Sequence, residues 1–142
     1  MNAIRRAAFG RQPISTRPGS SRSAAGKDAI LRARHRASQL AALAALRRAG
    51  FAVGPPPEGA YYIFAGYRGV PALAGLGPRE AAMRMTAEFK VACVPGDNFY
   101  LGERAKRHPE LGGRYLRFTF VRSLDVLRDA AAKLEALAAC TP

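Results

Sequence analysis

The sequence is poor in cysteine and histidine and, at its start, has no acid. Only Cys93 and Cys140 occur among its 142 residues. Two cysteines are too few for a disulfide framework, and they lack the paired spacing of a zinc site. A reducing compartment, and with it a cytoplasmic location, is the expectation. His35 and His108 lie in polar, basic stretches without His, Cys or Asp at ligand spacing. Both are expected to be solvated, and no metal site is expected. No apolar run approaches the ~18 residues of a membrane-spanning helix, so no membrane partner is expected. The longest, Leu40–Leu46, ends at Arg47 and Arg48. Neither a GxxxxGK(S/T) nor a GxSxG pattern occurs, which removes the phosphate loop and the nucleophile elbow. Gly75-Leu76-Gly77 begins like a dinucleotide loop, but the third glycine is missing and Pro78 removes a backbone donor. Cys93, in the apolar run Val91–Val94, has no nearby base and is expected to be a small core residue.

What is present is apolar residue and positive charge. Apolar residues make up 49% of the chain, enough for one domain with a core of ordinary size. Lys and Arg number 23 against 10 Asp and Glu, a formal charge of +13. Such an excess suits an acidic partner such as nucleic acid, a membrane surface or a phosphorylated ligand. Residues 1–27 hold Arg5, Arg6, Arg11, Arg17, Arg22 and Lys27 and no acid. With their Ser, Gly and Pro and no hydrophobic period, they are expected to form a disordered basic leader ahead of a domain over 28–142. Three accounts of the leader stay open: an arm touching nucleic acid, an organellar transit peptide, or a segment without a role. A secretory signal is not expected, because no apolar region follows Arg5 and Arg6.

From Asp28 the pattern turns helical, with Asp28 as cap and Ile30, Ala33, Ala37, Leu40, Ala41 and Ala44 on one face. Gly50 ends that helix after Arg47 and Arg48. Strands are expected at Phe51–Val53, Ala60–Ala65, Val91–Val94 and Tyr115–Val121. A helix starts at Pro78 and runs to about Phe89, with Ala82, Met85 and Phe89 inward. Residues 66–77 and 101–113 are expected to be loops, and Pro95–Asn98 a turn. Ser123 caps a last helix with Leu124, Leu127, Ala131, Leu134 and Ala138 in its stripe. The fold class is α+β: a small sheet of about four short strands with helices packed on one face.

Two features of the strands bear on function. Tyr61, Tyr62, Phe64, Phe118 and Phe120 could form a base-stacking surface, although sheet residues under helices are the simpler reading. In Tyr115–Val121, Leu116, Phe118 and Phe120 face the helices, and Tyr115, Arg117 and Thr119 face away. A guanidinium on that uncovered face can offer a fixed two-pronged donor to a carboxylate or phosphate. From the pattern alone, a surface arginine paired with a neighbouring acid is the simpler account.

Four segments in order change that balance: Leu46–Phe51 at a helix end, Pro57–Phe64, Val91–Phe99 and Tyr115–Phe120. Together they resemble the C-terminal small domain of class I/II aminotransferases, the pyridoxal-phosphate enzymes of fold type I, over about residues 28–138. The resemblance implies that Arg117 binds the substrate carboxylate, since the arginine of the matching strand does so in that family. It implies that Pro95–Phe99 shapes the rim of the domain and that Pro57-Glu58-Gly59 leads into the strand beside the active site. It also implies what lies elsewhere. Family members have a large domain that supplies the Schiff-base lysine, the aspartate on the pyridinium nitrogen, the stacking aromatic and the phosphate-binding groups. The only lysines here are Lys27, Lys90, Lys106 and Lys133, none in the family's Ser-x-x-Lys context. No catalytic and no cofactor-binding residue is therefore expected in this chain. Pyridoxal phosphate is expected only in a complete enzyme.

Two functions follow. The first is a fragment of an aminotransferase, either a truncated gene product or one chain of a split enzyme, inactive alone and contributing the substrate-carboxylate side of an active site that exchanges an amino group between an amino acid and a 2-oxo acid. The second is a small basic α+β module that binds nucleic acid. The order of the four segments favours the first, so nucleic acid is not the expected partner.

Overall fold

The computed structural model describes residues 21–140. Helix α1 (Ser21–Arg48) leads into the short strand β1 (Ala52–Val53) and then β2 (Tyr62–Gly66). A 3-10 turn at Pro71–Leu73 precedes α2 (Pro78–Ala87) and β3 (Val94–Pro95). A second 3-10 turn, Gly96–Phe99, is followed by α3 (Gly102–Arg107), α4 (Pro109–Gly112), β4 (Tyr115–Thr119) and α5 (Leu124–Ala139). The four strands form one antiparallel sheet in the order β1-β2-β4-β3. The fold is the expected α+β class.

Alternation builds the sheet's two faces. Ile63, Ala65, Leu116 and Phe118 are buried, while Tyr62, Phe64 and Thr119 between them are exposed. The inward set packs with Leu43 and Leu46 of α1, Met85 of α2 and Leu134 and Leu137 of α5 in a single core. Phe51 meets Phe118 edge to face with centroids 5.5 Å apart. Tyr67 ties the loop after β2 to the start of β4, its buried hydroxyl lying 3.0 Å from the Leu76 carbonyl and 3.1 Å from that of Gly113.

Several expectations are corrected. Helix α1 starts at Ser21, not at Asp28, so residues 21–27 are helical; residues 1–20 of the expected leader lie outside the described residues. The buried face of α1 is Ser38, Gln39, Leu43, Ala45 and Leu46, followed by buried Ala49 in the turn beyond it, and Ile30 and Leu40 point to solvent. An alanine-rich helix has little amphipathic contrast to read, and its buried face here is set partly by Gln39, whose Nε2 donates to the Pro57 carbonyl at 2.6 Å. The strand expected at Val91–Val94 pairs only from Val94. The backbone before it is spent closing α2, with Lys90 at φ 57° and the Val91 N–H donating to the Met85 carbonyl. Residues 101–113 are not a loop but two short helices. Charge pairs within them, such as Lys106 with Glu103, carry no hydrophobic period. In α5 the deeply buried pair is Leu134 and Leu137, whereas Leu124 and Ala138 are exposed.

Ser123 caps α5 as expected, its side-chain oxygen accepting from the Val126 N–H at 3.5 Å. Ser123→Ala is expected to lower stability by about 1 kcal/mol, read from the urea midpoint, with Ser123→Asp retaining most of it.

Candidate functional site

Strand β4 is central, with β2 on one side and β3 on the other. Arg117 therefore stands opposite Phe64 of β2 and Val94 of β3. It points to the face away from the core, as the alternation of Tyr115–Thr119 requires. Its guanidinium carbon lies 4.1 Å from the ring centroid of Tyr62 and 4.0 Å from that of Phe99. Phe99 is held edge-on against Phe64 at 5.4 Å. The cation is thus in contact with two rings, each such contact contributing about 0.5–2 kcal/mol according to its exposure.

Ring contacts engage the faces of a guanidinium, while its N–H donors lie in its plane. Arg117 makes no hydrogen bond and no ion pair with any described residue. The acid partner of the simpler sequence account is absent among the described residues. A half-buried arginine fixed by rings, with its fork unspent, is suited to grip a planar two-oxygen anion by paired N–H···O bonds.

The segments around it hold the clamp. Pro95 pairs with Leu116, and Gly96–Phe99 turns directly from it, carrying Phe99 over Arg117. Pro57-Glu58-Gly59 is anchored to α1 through Gln39 and leads towards Tyr62. The clamp itself was not legible in the sequence. Tyr62 stood only among the strand aromatics and Phe99 only at the end of a turn. Nothing in residue spacing shows that side chains from three separate segments converge.

Other candidates fare differently. The five aromatics do not share a surface: Phe118 and Phe120 are buried under the helices, and Tyr61, Tyr62 and Phe64 are exposed. A common stacking platform is thereby lost; the main support for the nucleic-acid reading, the basic segment 1–27, lies mostly outside the described residues. His35 is not solvated. It is half-buried, its Nε2 donates to the Ala60 carbonyl at 3.2 Å, and its ring meets Tyr61 and Phe120 edge to face. A basic neighbourhood in sequence concealed this, because the contacts come from the distant strands. His108 is exposed, 3.8 Å from Glu110. Among the described residues no three His, Cys, Asp or Glu side chains gather to hold a metal. No helix among them is long and apolar enough to cross a membrane.

Cys93 is packed against the core, and burial pushes its thiol up to about 12. Since the thiolate is the nucleophile, Cys93 is expected to resist iodoacetamide in the folded chain at pH 8, while exposed Cys140 is labelled. Denaturation should equalise the two, as peptide mapping would show. The sign of the linkage follows: the fold favours the neutral thiol, so this contribution is full below pH 9 and is lost as pH rises towards 12.

The sequence matches no protein-family profile and no curated protein. Solved structures do match. The chain is similar to N-succinyldiaminopimelate aminotransferase from Mycobacterium tuberculosis, with a TM-score of 0.66 and 25% identity over 83% of this chain and 28% of that one. It is similar to the aromatic aminotransferase from Pyrococcus horikoshii, with a TM-score of 0.63 and 24% identity over 82% of this chain and 27% of that one. An Escherichia coli protein with a methionine aminotransferase function gives a TM-score of 0.66 at 21% identity, over 82% and 28%. The chain therefore spans little more than a quarter of the length of the structures it matches. With its antiparallel four-strand sheet and α1, α2 and α5 packed on one face of it, it has the fold of the C-terminal small domain of class I/II, fold type I, pyridoxal-phosphate-dependent aminotransferases.

Proposed function

We propose that this chain provides the substrate-carboxylate side of an aminotransferase active site, one that exchanges an amino group between an amino acid and a 2-oxo acid. One observation supports it above the others: Arg117 is held between two rings on the uncovered sheet face, with its donors unspent. Amino acids and 2-oxo acids share a carboxylate, and two parallel N–H···O bonds fix both its position and its orientation.

In such an enzyme pyridoxal phosphate supplies the electron sink. The residues of this chain do not fit it. The outward residues of β2 and β4 are Tyr62, Phe64, Gly66, Tyr115, Arg117 and Thr119, without a lysine or a carboxylate. Lys106 and Lys133 are ion-paired with Glu103 and Asp129, and Lys90 donates to the Ala87 carbonyl. The cofactor's groups belong to a large domain, joined to this chain or carried by another. Alone, the chain is inactive under this reading. Pyridoxal phosphate added to it, then reduced with borohydride, is expected to label exposed lysines without preference for one; peptide mapping checks this.

The direct test is titration of the chain with pyruvate, followed through the arginine side-chain Nε–Hε resonances. A saturable shift of Arg117, with Arg68 and Arg114 unmoved, is expected. A shift no larger than an equal concentration of chloride produces would overturn the proposal.

A further inference from the structure

A second site lies away from Arg117. The middle of α1 (31–39), the segment 57–61 and the segment 120–123 line a groove of about 900 Å³. None of Arg117, Tyr62 or Phe99 lines it.

The groove has two characters. Its apolar part is formed by Leu31, Tyr61, Phe120 and Val121, and the first two are 61% and 60% exposed. Its cationic part is formed by Arg32, Arg34, Arg36 and Arg122, and Glu58 is the only carboxylate in the lining. None of the four arginines forms an ion pair with a described residue. Arg36 gives one bond to Gln39 and Arg122 one to the Val121 carbonyl; the other donors are open. Elsewhere five Lys or Arg side chains do pair with a carboxylate, among them Arg48 with Glu135 and Arg128 with Asp125. Arg47, Arg68, Arg79, Arg107 and Arg114 likewise form no ion pair with a described residue, so what sets the groove apart is four arginines lining one concavity beside apolar surface.

The groove is also held in shape. Gln39 is buried and bonded to the Pro57 carbonyl, and His35 is bonded to the Ala60 carbonyl while its ring touches Tyr61 and Phe120. These contacts fasten α1 to the segments forming the opposite wall.

Such a lining discriminates. A neutral apolar ligand would leave four cations uncompensated beside it. A nucleic-acid backbone would satisfy the arginines but leave the leucine, valine and aromatic surface uncovered. A polypeptide that carries both carboxylates and aliphatic side chains satisfies both parts, as charge complementarity at an interface requires. We propose that this groove is a docking site for an acidic, aliphatic-bearing polypeptide segment of a partner chain. The proposal does not depend on the role assigned to Arg117.

The test uses the full chain and a fluorescein-labelled peptide of repeating Glu-Leu-Leu-Glu. Comparators are oligoglutamate and oligothymidylate of the same net charge. Saturable one-to-one binding of the peptide is expected, at least about tenfold tighter than either comparator. Amide shifts should map to residues 31–39, 57–61 and 120–123. Reversing Arg34→Glu together with Arg122→Glu should weaken binding about tenfold or more, and Tyr61→Ser should weaken it as well. Reversing Arg107→Glu and Arg128→Glu changes net charge equally outside the groove and should leave binding unchanged. If the groove reversal lowers helicity, Arg34→Gln with Arg122→Gln replaces it, with the same direction expected. Equal losses from both reversals would reduce the effect to overall charge and overturn the proposal. Equal or tighter binding of oligothymidylate would also overturn it, and would mark a nucleic-acid surface instead.

Discussion

Gly96→Ala is expected to cost about 3 kcal/mol, a fall in melting temperature on the order of 10 °C. A Cβ at this position would lie 2.4 Å from the Tyr115 carbonyl oxygen and 2.8 Å from that of Gly112. Both are backbone atoms, one in β4 and one at the end of α4, so no side chain can swing aside. Gly112 is also crowded, though less so, since its own Cβ would meet the Asp97 Cα at 3.0 Å. The two glycines let the turn 96–99 press against the entry to β4. Adding a methyl must push that turn outward, and Phe99 travels with it away from Arg117. The substitution should therefore lower stability and also weaken any carboxylate binding at the site. Gly59→Ala is the control: nothing lies within 4 Å of its Cβ, and a change within about 0.5 kcal/mol is expected. A Gly96→Ala midpoint in urea equal to that of the parent would mean that the turn does not press on β4 as described.

This turn also shows where sequence reading succeeds and where it stops. Pro95–Phe99 was recognisable as a unit by resemblance, but the need for glycine comes from backbone atoms far along the chain. Tyr115–Thr119 was legible almost completely, because a period of two assigns each side chain to a face. Leu116 and Phe118 inside and Arg117 outside is the observed arrangement. Ser123 at the start of α5 was legible for a local reason, a cap bonding within one turn. Helix α1 was legible in kind but not in orientation. Alanine on every side gives no stripe, and polar Gln39 takes a buried position because the Pro57 carbonyl receives its amide. Helices α3 and α4 carry no apolar period and could not be read. The groove along α1 was hidden for the same reason as His35: its walls come from separate segments, the nearest of them 18 residues apart at Gln39 and Pro57.

Arg117→Lys should be the most damaging single change to function. When the chain is expressed with or fused to a matching large domain, the substitution is expected to raise KM. The fall in kcat/KM should correspond to roughly 2–4 kcal/mol, since charge-assisted hydrogen bonds contribute about 1.5–3 kcal/mol each. Lysine retains the charge but offers a point rather than a fork, and has no planar faces for Tyr62 and Phe99 to hold. Orientation is lost along with affinity, so the effect reaches kcat as well. The rings should show a graded response. Tyr62→Phe keeps a ring and should change little. Tyr62→Leu or Phe99→Leu leaves the fork in place but frees it to move, and about 1 kcal/mol is the expected loss. Folding should be little affected throughout, because Arg117 forms no hydrogen bond with the described residues and lies outside the core. Arg114 and Arg122 flank the strand, and their lysine variants should do far less. Should Arg114→Lys abolish activity while Arg117→Lys leaves kcat/KM intact, the carboxylate is gripped elsewhere, and the role of the ring-clamped arginine falls with it.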